Sequence, residues 1–484
     1  MNRNAIIGIA VVALVPVYVG LSWATGQAAH SRVNAWEHEM ASQAGHIYRI
    51  ASREKKQGLF RSTETITFEL TPELAAAIQG PSTDGGESAG KPFRLTLRND
   101  LQHGPIPGFR SLGLARIETR LVLDEKTVAE LRKELGVTEP FVAVTRVGFL
   151  GGGTTSITSP PFKKEMKPNG YVEWKGFEAE FSFDGTLDSF ECEAEAPGLV
   201  GRTGDQTAMT FEDIKFDCDF HRVFEELYAG DASFGWKRMT VDGEVTGSGT
   251  DMQMDDLIYK LRAGADGDYY DVALDAKVGN FVMDQVKITD LAYQLALTHL
   301  HGKTLAEISR KYQEATKTTA FNDPMLAATI GGILAEHAPT LLEHSPQLVI
   351  DRIGFRMPEG EFGIKGNLKV QEITREELDA MQSSMALLSK LEAAFDVWVS
   401  QGLLEKDWAA MVATAEKVDA EGVETVEEGP PAASPNATLE MVRQQVAAME
   451  QAGYVRRNGE RLESRIEFRN GALTANGKPL GAGM

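Results

Sequence analysis

Only two cysteines, Cys192 and Cys218, occur among 484 residues, and they are too far apart to form a CxxC pair. The spacing therefore gives no support to thiol redox catalysis. Positive charge is also in short supply. The 49 Lys and Arg face 70 Asp and Glu, leaving a net charge of −21. Such a surface repels phosphate backbones, which sets nucleic-acid partners aside. The common catalytic signatures are missing as well. Gly151-Gly152-Gly153-Thr154-Thr155 has the glycines of a phosphate loop without its lysine, and reads as a turn or bulge. Ser248, in Gly247-Ser248-Gly249, lacks the five-residue frame of a nucleophile elbow. His299 and His301 would share a face if the strand runs that far, but no third metal ligand lies nearby. Carboxylates are many and scattered, and no pair stands out for acid–base work. The sequence assigns no catalytic residue, metal or cofactor, and it names no binding residue.

What is present begins at the N-terminus. Ala5–Trp23 is an uncharged apolar run. An apolar helix of about 20 residues spans a bilayer core of about 30 Å. Arg3 would stay on the cytoplasmic side, and everything after about Gly26 would be exported. A cleaved signal peptide is the competing reading, with Gly26-Gln27-Ala28 as its cleavage site. The run is longer than a signal core, and Trp23 lies where an aromatic belt residue would lie. The expectation is an uncleaved single-pass anchor whose partner is the lipid bilayer.

From Thr63 to about Val370 apolar residues recur with period two, as in strands with one buried face. Asp-Gly pairs at Asp184-Gly185, Asp242-Gly243 and Asp266-Gly267 are hairpin signals. Around the cysteines, Phe190, Cys192, Ala194 and Ala196 share one face, and Ile214, Phe216, Cys218 and Phe220 share another. A turn near Gly204-Asp205 would set the cysteines opposite each other. An oxidising compartment then permits a Cys192–Cys218 disulfide, and two free buried thiols are the other reading.

Helices are expected at Lys126–Leu135, at Thr304–Thr316 and after Asn322-Asp323-Pro324. A capping box, Thr374 with Glu377, opens another, whose stripe runs Leu378, Met381, Met385, Leu388, Phe395 and Trp398. Leu403, Trp408, Met411 and Val412 would complete a helical hairpin. Gly80–Lys91 and Asp419–Pro435 read as loops. A helix at about Thr438–Gln451 and a hairpin turned at Asn470-Gly471 close the chain. The fold class is α+β: an N-terminal transmembrane helix, then a long curved antiparallel sheet with helical segments packed on or closing it. The expected divisions are 1–26 cytoplasmic stub and anchor, 27–372 mainly β, 373–418 helical hairpin, 419–436 acidic Pro-rich linker, and 437–484 helix plus hairpin.

Three short motifs, in order, carry a family likeness. They are Gly58-Leu59-Phe60-Arg61-Ser62, then His103-Gly104-Pro105 with Pro107-Gly108, then Asn470-Gly471 with Thr474-Ala475-Asn476-Gly477-Lys478-Pro479. With the anchor, they resemble the YdgA-like family of bacterial inner-membrane proteins of unknown function. The resemblance implies an inner-membrane anchor and a periplasmic body, and it brings no catalytic residues. The expected role is non-enzymatic: binding an apolar ligand or a partner protein of the envelope on the curved sheet. An envelope hydrolase with a site assembled from scattered residues, and a scaffold for envelope complexes, are the alternatives.

Overall fold

The computed structural model describes residues 21–22, 24–29, 31, 48–70, 94–166, 169–204, 206–246, 249–318, 324–380, 388–405 and 435–480. The expected loop at Gly80–Lys91 and all but Pro435 of that at Asp419–Pro435 lie outside these residues, as do nearly all of Ala5–Trp23 and Ser248. The chain is mostly antiparallel β-sheet with some helices. It divides into two compact units, Met1–Trp236 with Leu305–His337, and Lys237–Thr304 with Ala338–Met484.

In the first unit, β1 (Tyr48–Lys56), β2 (Arg61–Leu70), β3 (Arg94–His103), β4 (Ala115–Leu121), β5 (Val142–Val147) and β6 (Gly153–Ser159) form a meander. The hairpin of β7 (Phe162–Met166) and β8 (Gly170–Trp174) is passed over, and β9 (Phe177–Phe183) pairs with β6. Next come β10 (Ser189–Thr203) and β11 (Gln206–Phe224), with β8 also pairing β10. Strand β12 (Leu227–Val241) follows β11 in the chain.

The register explains the alternation in the sequence. Ser62, Leu101, Ile117, Thr145, Thr155, Phe181, Cys192 and Cys218 are successive cross-strand neighbours in one row. On the reverse face the row is Asp100, Glu118, Val144, Ser156, Glu180, Glu193 and Asp217. Period two puts each set on one side, so a one-residue slip would exchange them. Because a meander reverses at alternate ends, the β1–β2, β3–β4 and β5–β6 connections share one end of the unit. The β4–β5 connection, at the other end, holds the helix Glu125–Leu135, capped by Asp124, which accepts from the Thr127 amide at 3.0 Å.

In the second unit, β13 (Met252–Asp266), β14 (Tyr269–Met283), β15 (Val286–His301), β16 (Gln347–Met357), β17 (Gly360–Val370) and β18 (Leu391–Ser400) pair in sequence. Then β20 (Arg461–Arg469) pairs with β18, flanked by β19 (Arg456–Asn458) and β21 (Ala472–Ala475), with β22 (Lys478–Pro479) beyond. The helix Pro435–Ala452 packs Val442 and Val446 on Leu462, beside Val399 and Val455.

The expected helical hairpin over 373–418 is corrected at Leu391–Ser400, while Met381, Met385, Trp408, Met411 and Val412 lie outside the described residues. The capping box forms reciprocally: the Thr374 amide donates to Glu377 at 3.0 Å and the Glu377 amide to Thr374 Oγ1 at 3.2 Å. Among the described residues that helix covers Arg375–Ala380, and Leu391–Ser400 is a strand between β17 and β20. The i, i+3 spacing of Phe395 and Trp398 overlies an equally good alternation of Leu391, Ala393, Phe395, Val397 and Val399. Paired neighbours on both sides decide for the strand. Asp242-Gly243 also differs, since Gly243–Thr246 makes one helical turn there. At Asp266-Gly267 the pairing of Asp266 with Tyr269 leaves a two-residue reversal. Asn470 and Gly471, with φ of 52° and 74°, make the left-handed pair that a type I′ hairpin needs.

Candidate functional site

The first two motifs meet at one point. Ser62 opens β2 and His103 closes β3, and the antiparallel register brings them side by side. The His103 amide donates to Phe60 O at 2.9 Å, and His103 Nδ1 lies 2.9 Å from Leu59 O. A carbonyl can only accept, so Nδ1 carries the proton and Nε2 is left as an acceptor. Ser62 Oγ, 3.0 Å away, therefore donates to Nε2. Both side chains are buried, Ser62 at 2 % exposure and His103 at 4 %. Burial pushes the His103 pKa below its ordinary value, opposed by the Leu59 carbonyl, which favours the charged ring.

The end of the N-terminal apolar segment covers this pair. Residues 21–22, 24–29 and 31 are helical, and Ser22, Thr25 and Ala29 are buried on one side. Ala29 joins a core cluster with Leu101, Leu114, Ala115, Ile117 and Val147. Gly26 faces the imidazole so closely that a Cβ there would lie 2.4 Å from His103 Nδ1. Small residues at i, i+3, i+4 and i+7 allow this approach, because they line one face of a helix. Thr25 Oγ1 is satisfied by Leu21 O at 2.8 Å.

A serine donating to a neutral histidine held by a third group has the wiring of an activated nucleophile. Here the third group is a carbonyl, and both side chains lie beneath a helix. The arrangement latches the β1–β2 reversal to the end of β3.

The other sequence candidates fall elsewhere. Cys192 and Cys218 are a direct cross-strand pair with Cα atoms 4.9 Å apart, and their sulfurs are joined. The glycines at 151–153 form the β5–β6 turn, and Cβ atoms on Gly152 and Gly153 would strike Phe183 O and Arg146 O. His299 and His301 are drawn into ring contacts. His301 stacks on His344 with centroids 4.1 Å apart, and Tyr269 lies 4.8 Å from His299. Among the described residues, no three His, Cys, Asp or Glu side chains converge as a metal site would need. The third motif is structural: Asn476 Nδ2 donates to Tyr454 O and Lys478 Nζ to Ala452 O, closing the C-terminus of Pro435–Ala452.

The second unit carries two contrasting faces. Leu261, Leu274, Leu295, Ile350, Gly366, Phe395 and Ile466 form one row across seven strands. Every member of this row is only part-buried. On the reverse side Lys369 and Arg469 clamp Glu392, each at 2.8 Å. With Gln371 they hold its pKa at about 2. Asp396 lies 4.0 Å from Lys365 and 3.2 Å from Arg465. Shallow grooves of about 510 Å³ and 600 Å³ lie over these two clusters. The charges on this face pair with one another, so it reads as a solvated ladder. Alternation marks both faces in the sequence, whereas the meeting of Ser62 with His103 depends on strand order.

The family model described as bacterial protein of unknown function (DUF945) matches residues 1–481. No curated protein matches the chain. The chain belongs to that family.

Proposed function

We propose that this is a YdgA-like, single-pass inner-membrane protein whose body stands in the periplasm. Its role there is to hold an apolar envelope component, without catalysis, on an open sheet face. The observation that carries the reading is the part-buried row from Leu261 to Ile466. A strand face usually hides such residues against a second layer. The helix Pro435–Ala452 packs near Val399 and Leu462, four residues along β18 and β20 from Phe395 and Ile466. The rows beyond are part-buried among the described residues, and we read them as the surface that an apolar ligand would cover.

Three features favour the anchored, exported setting. The run Ala5–Trp23 leads directly into the docked helix. Cleavage after Ala28 would part Gly26, which faces His103, from the buried Ala29. A joined Cys192–Cys218 pair suits an oxidising compartment. The stretch Met325–Glu343 is also long and apolar enough to cross a membrane. However, its Glu336 is ion-paired at 2.8 Å with Lys311 of the preceding helix, which suits a helical hairpin better than a span.

The test is mass spectrometry of small molecules retained by the full chain, purified from membranes in detergent. A stoichiometric apolar compound that is lost in a Leu295→Asp variant supports the reading. A wild-type protein with nothing bound beyond detergent refutes ligand holding. One observation favours a hydrolase instead, the 3.0 Å contact of Ser62 and His103. Labelling of wild type but not Ser62→Ala by a fluorophosphonate would establish that alternative.

A further inference from the structure

Three reversals lie together at one end of the first unit: residues 57–60 between β1 and β2, 104–114 between β3 and β4, and 148–152 between β5 and β6. Backbone hydrogen bonds tie them into one rim. The His103 amide donates to Phe60 O, the Gly104 amide to Leu114 O, and the Leu114 amide to Val147 O. Their outward side chains are large and apolar. Leu150 is 90 % exposed, Phe109 81 % and Leu112 75 %, and Leu59, Phe60 and Phe149 are exposed too.

The charge pattern of these reversals departs from the rest of the chain. None of the three contains an Asp or Glu, although the protein has 70. Arg110 lies within them and Arg61 directly follows the first, while the adjoining reversal at 184–188 carries Asp184 and Asp188. The β4–β5 connection, at the opposite end, is densely charged instead, with five acidic and three basic residues over 122–141. A cluster of exposed apolar tips bordered by two arginines fits a bilayer interface, whose headgroup phosphates attract arginine.

The N-terminal helix supplies the geometry. Gly26 lies against His103, at the mouth of the rim, and three residues later Ala29 reaches the core cluster with Leu101 and Ile117. Followed backwards from Ala29, the helix leads out past His103 on the rim side. The uncharged run Ala5–Trp23 continues from there in sequence.

We propose that this rim is a membrane-contact surface. The tips of the three reversals enter the outer headgroup layer of the same bilayer that the N-terminal segment crosses, and seat the first unit on the membrane. The inference rests on the anchored reading above and adds to it a second point of contact. Arg61 and Arg110 pair with lipid phosphates, while the six apolar tips reach the acyl boundary.

The test uses the full chain in vesicles of phosphatidylethanolamine and phosphatidylglycerol, doped with lipids brominated along the acyl chain. An environment-sensitive dye is placed on Leu150→Cys or, at the opposite end, on Glu139→Cys. Alkaline extraction of the same vesicles reports anchoring independently. The proposal expects the protein to resist extraction, with bromolipid quenching most emission of the dye at position 150 and little at position 139. Resistance to extraction with an unquenched dye at position 150 overturns the rim contact and leaves the anchor standing. Release by alkali, with no quenching at either position, overturns both. Quenching absent from lipid vesicles, but shielding of position 150 from a soluble thiol reagent in cells, overturns the lipid contact in favour of a protein partner. Loss of quenching with Phe109→Ser and Leu112→Ser present would tie the effect to the rim.

Discussion

Replacing Gly26 with alanine sets two well-measured effects against each other. In a helix that touches nothing, glycine to alanine adds about 1 kcal/mol through helix propensity. Here the new methyl would lie 2.4 Å from His103 Nδ1 and 2.8 Å from its Cε1 and Cγ. Real carbon contacts do not come that close, so either the helix withdraws or the ring leaves Ser62. Overpacking of this kind costs about 1–3 kcal/mol. The net loss of docking stability reaches about 2 kcal/mol, about a 30-fold rise in the undocked population. Hydrogen exchange of the full chain in detergent reads this directly, because local opening sets amide protection. Protection across residues 24–29 should fall in Gly26→Ala and fall further in Gly26→Leu. Higher protection in Gly26→Ala would mean that propensity alone operates, and that the helix does not rest on His103.

Ser62→Ala should cost about 1–3 kcal/mol in thermal unfolding, because it removes the hydroxyl that donates to the buried Nε2 of His103. His103 has a depressed folded pKa, so its contribution is complete above the unfolded histidine value near 6.5 and is lost as pH falls through the folded value. A His103→Phe variant should lack that part of the pH slope when its unfolding is followed from pH 8 downwards. Glu392, held at about 2, contributes above the ordinary carboxylate range, and that contribution fades as pH falls toward 2. The stability difference between wild type and Glu392→Gln, measured by denaturant titration, should therefore shrink steadily below pH 4. Intact-mass analysis after alkylation should find no free thiol at Cys192 or Cys218. Replacing both with alanine should cost up to about 3.5 kcal/mol, from the entropy of a loop closed across a separation of 26 residues.

Much of the sheet is legible from alternation. The faces of β10 and β11, and the opposition of Cys192 to Cys218 about a turn at Gly204, follow from period two and one reversal. The capping box at Thr374 is equally local. Strand β18 is harder to read, because Phe395 and Trp398 satisfy a helical stripe while Leu391 to Val399 also alternate. Only its neighbours β17 and β20, distant in sequence, decide the matter. The Ser62–His103 contact spans 41 residues and depends on strand order, which no spacing rule supplies. Gly26 illustrates the same limit. As sequence it resembles part of a cleavage site, and as structure it is the one residue small enough to lie on the imidazole. The clustering of the three apolar reversals likewise follows from the meander, since each is a short turn when read alone.

The central claim is that the apolar face of the second unit is where the protein engages the envelope. Site-specific photocrosslinking in living cells tests it most directly, with benzoylphenylalanine placed at Leu295 on the apolar row or at Arg465 on the charged face. The account predicts a defined adduct with an apolar envelope component at Leu295 and none at Arg465. No adduct at Leu295, or the same adducts at both positions, would contradict it.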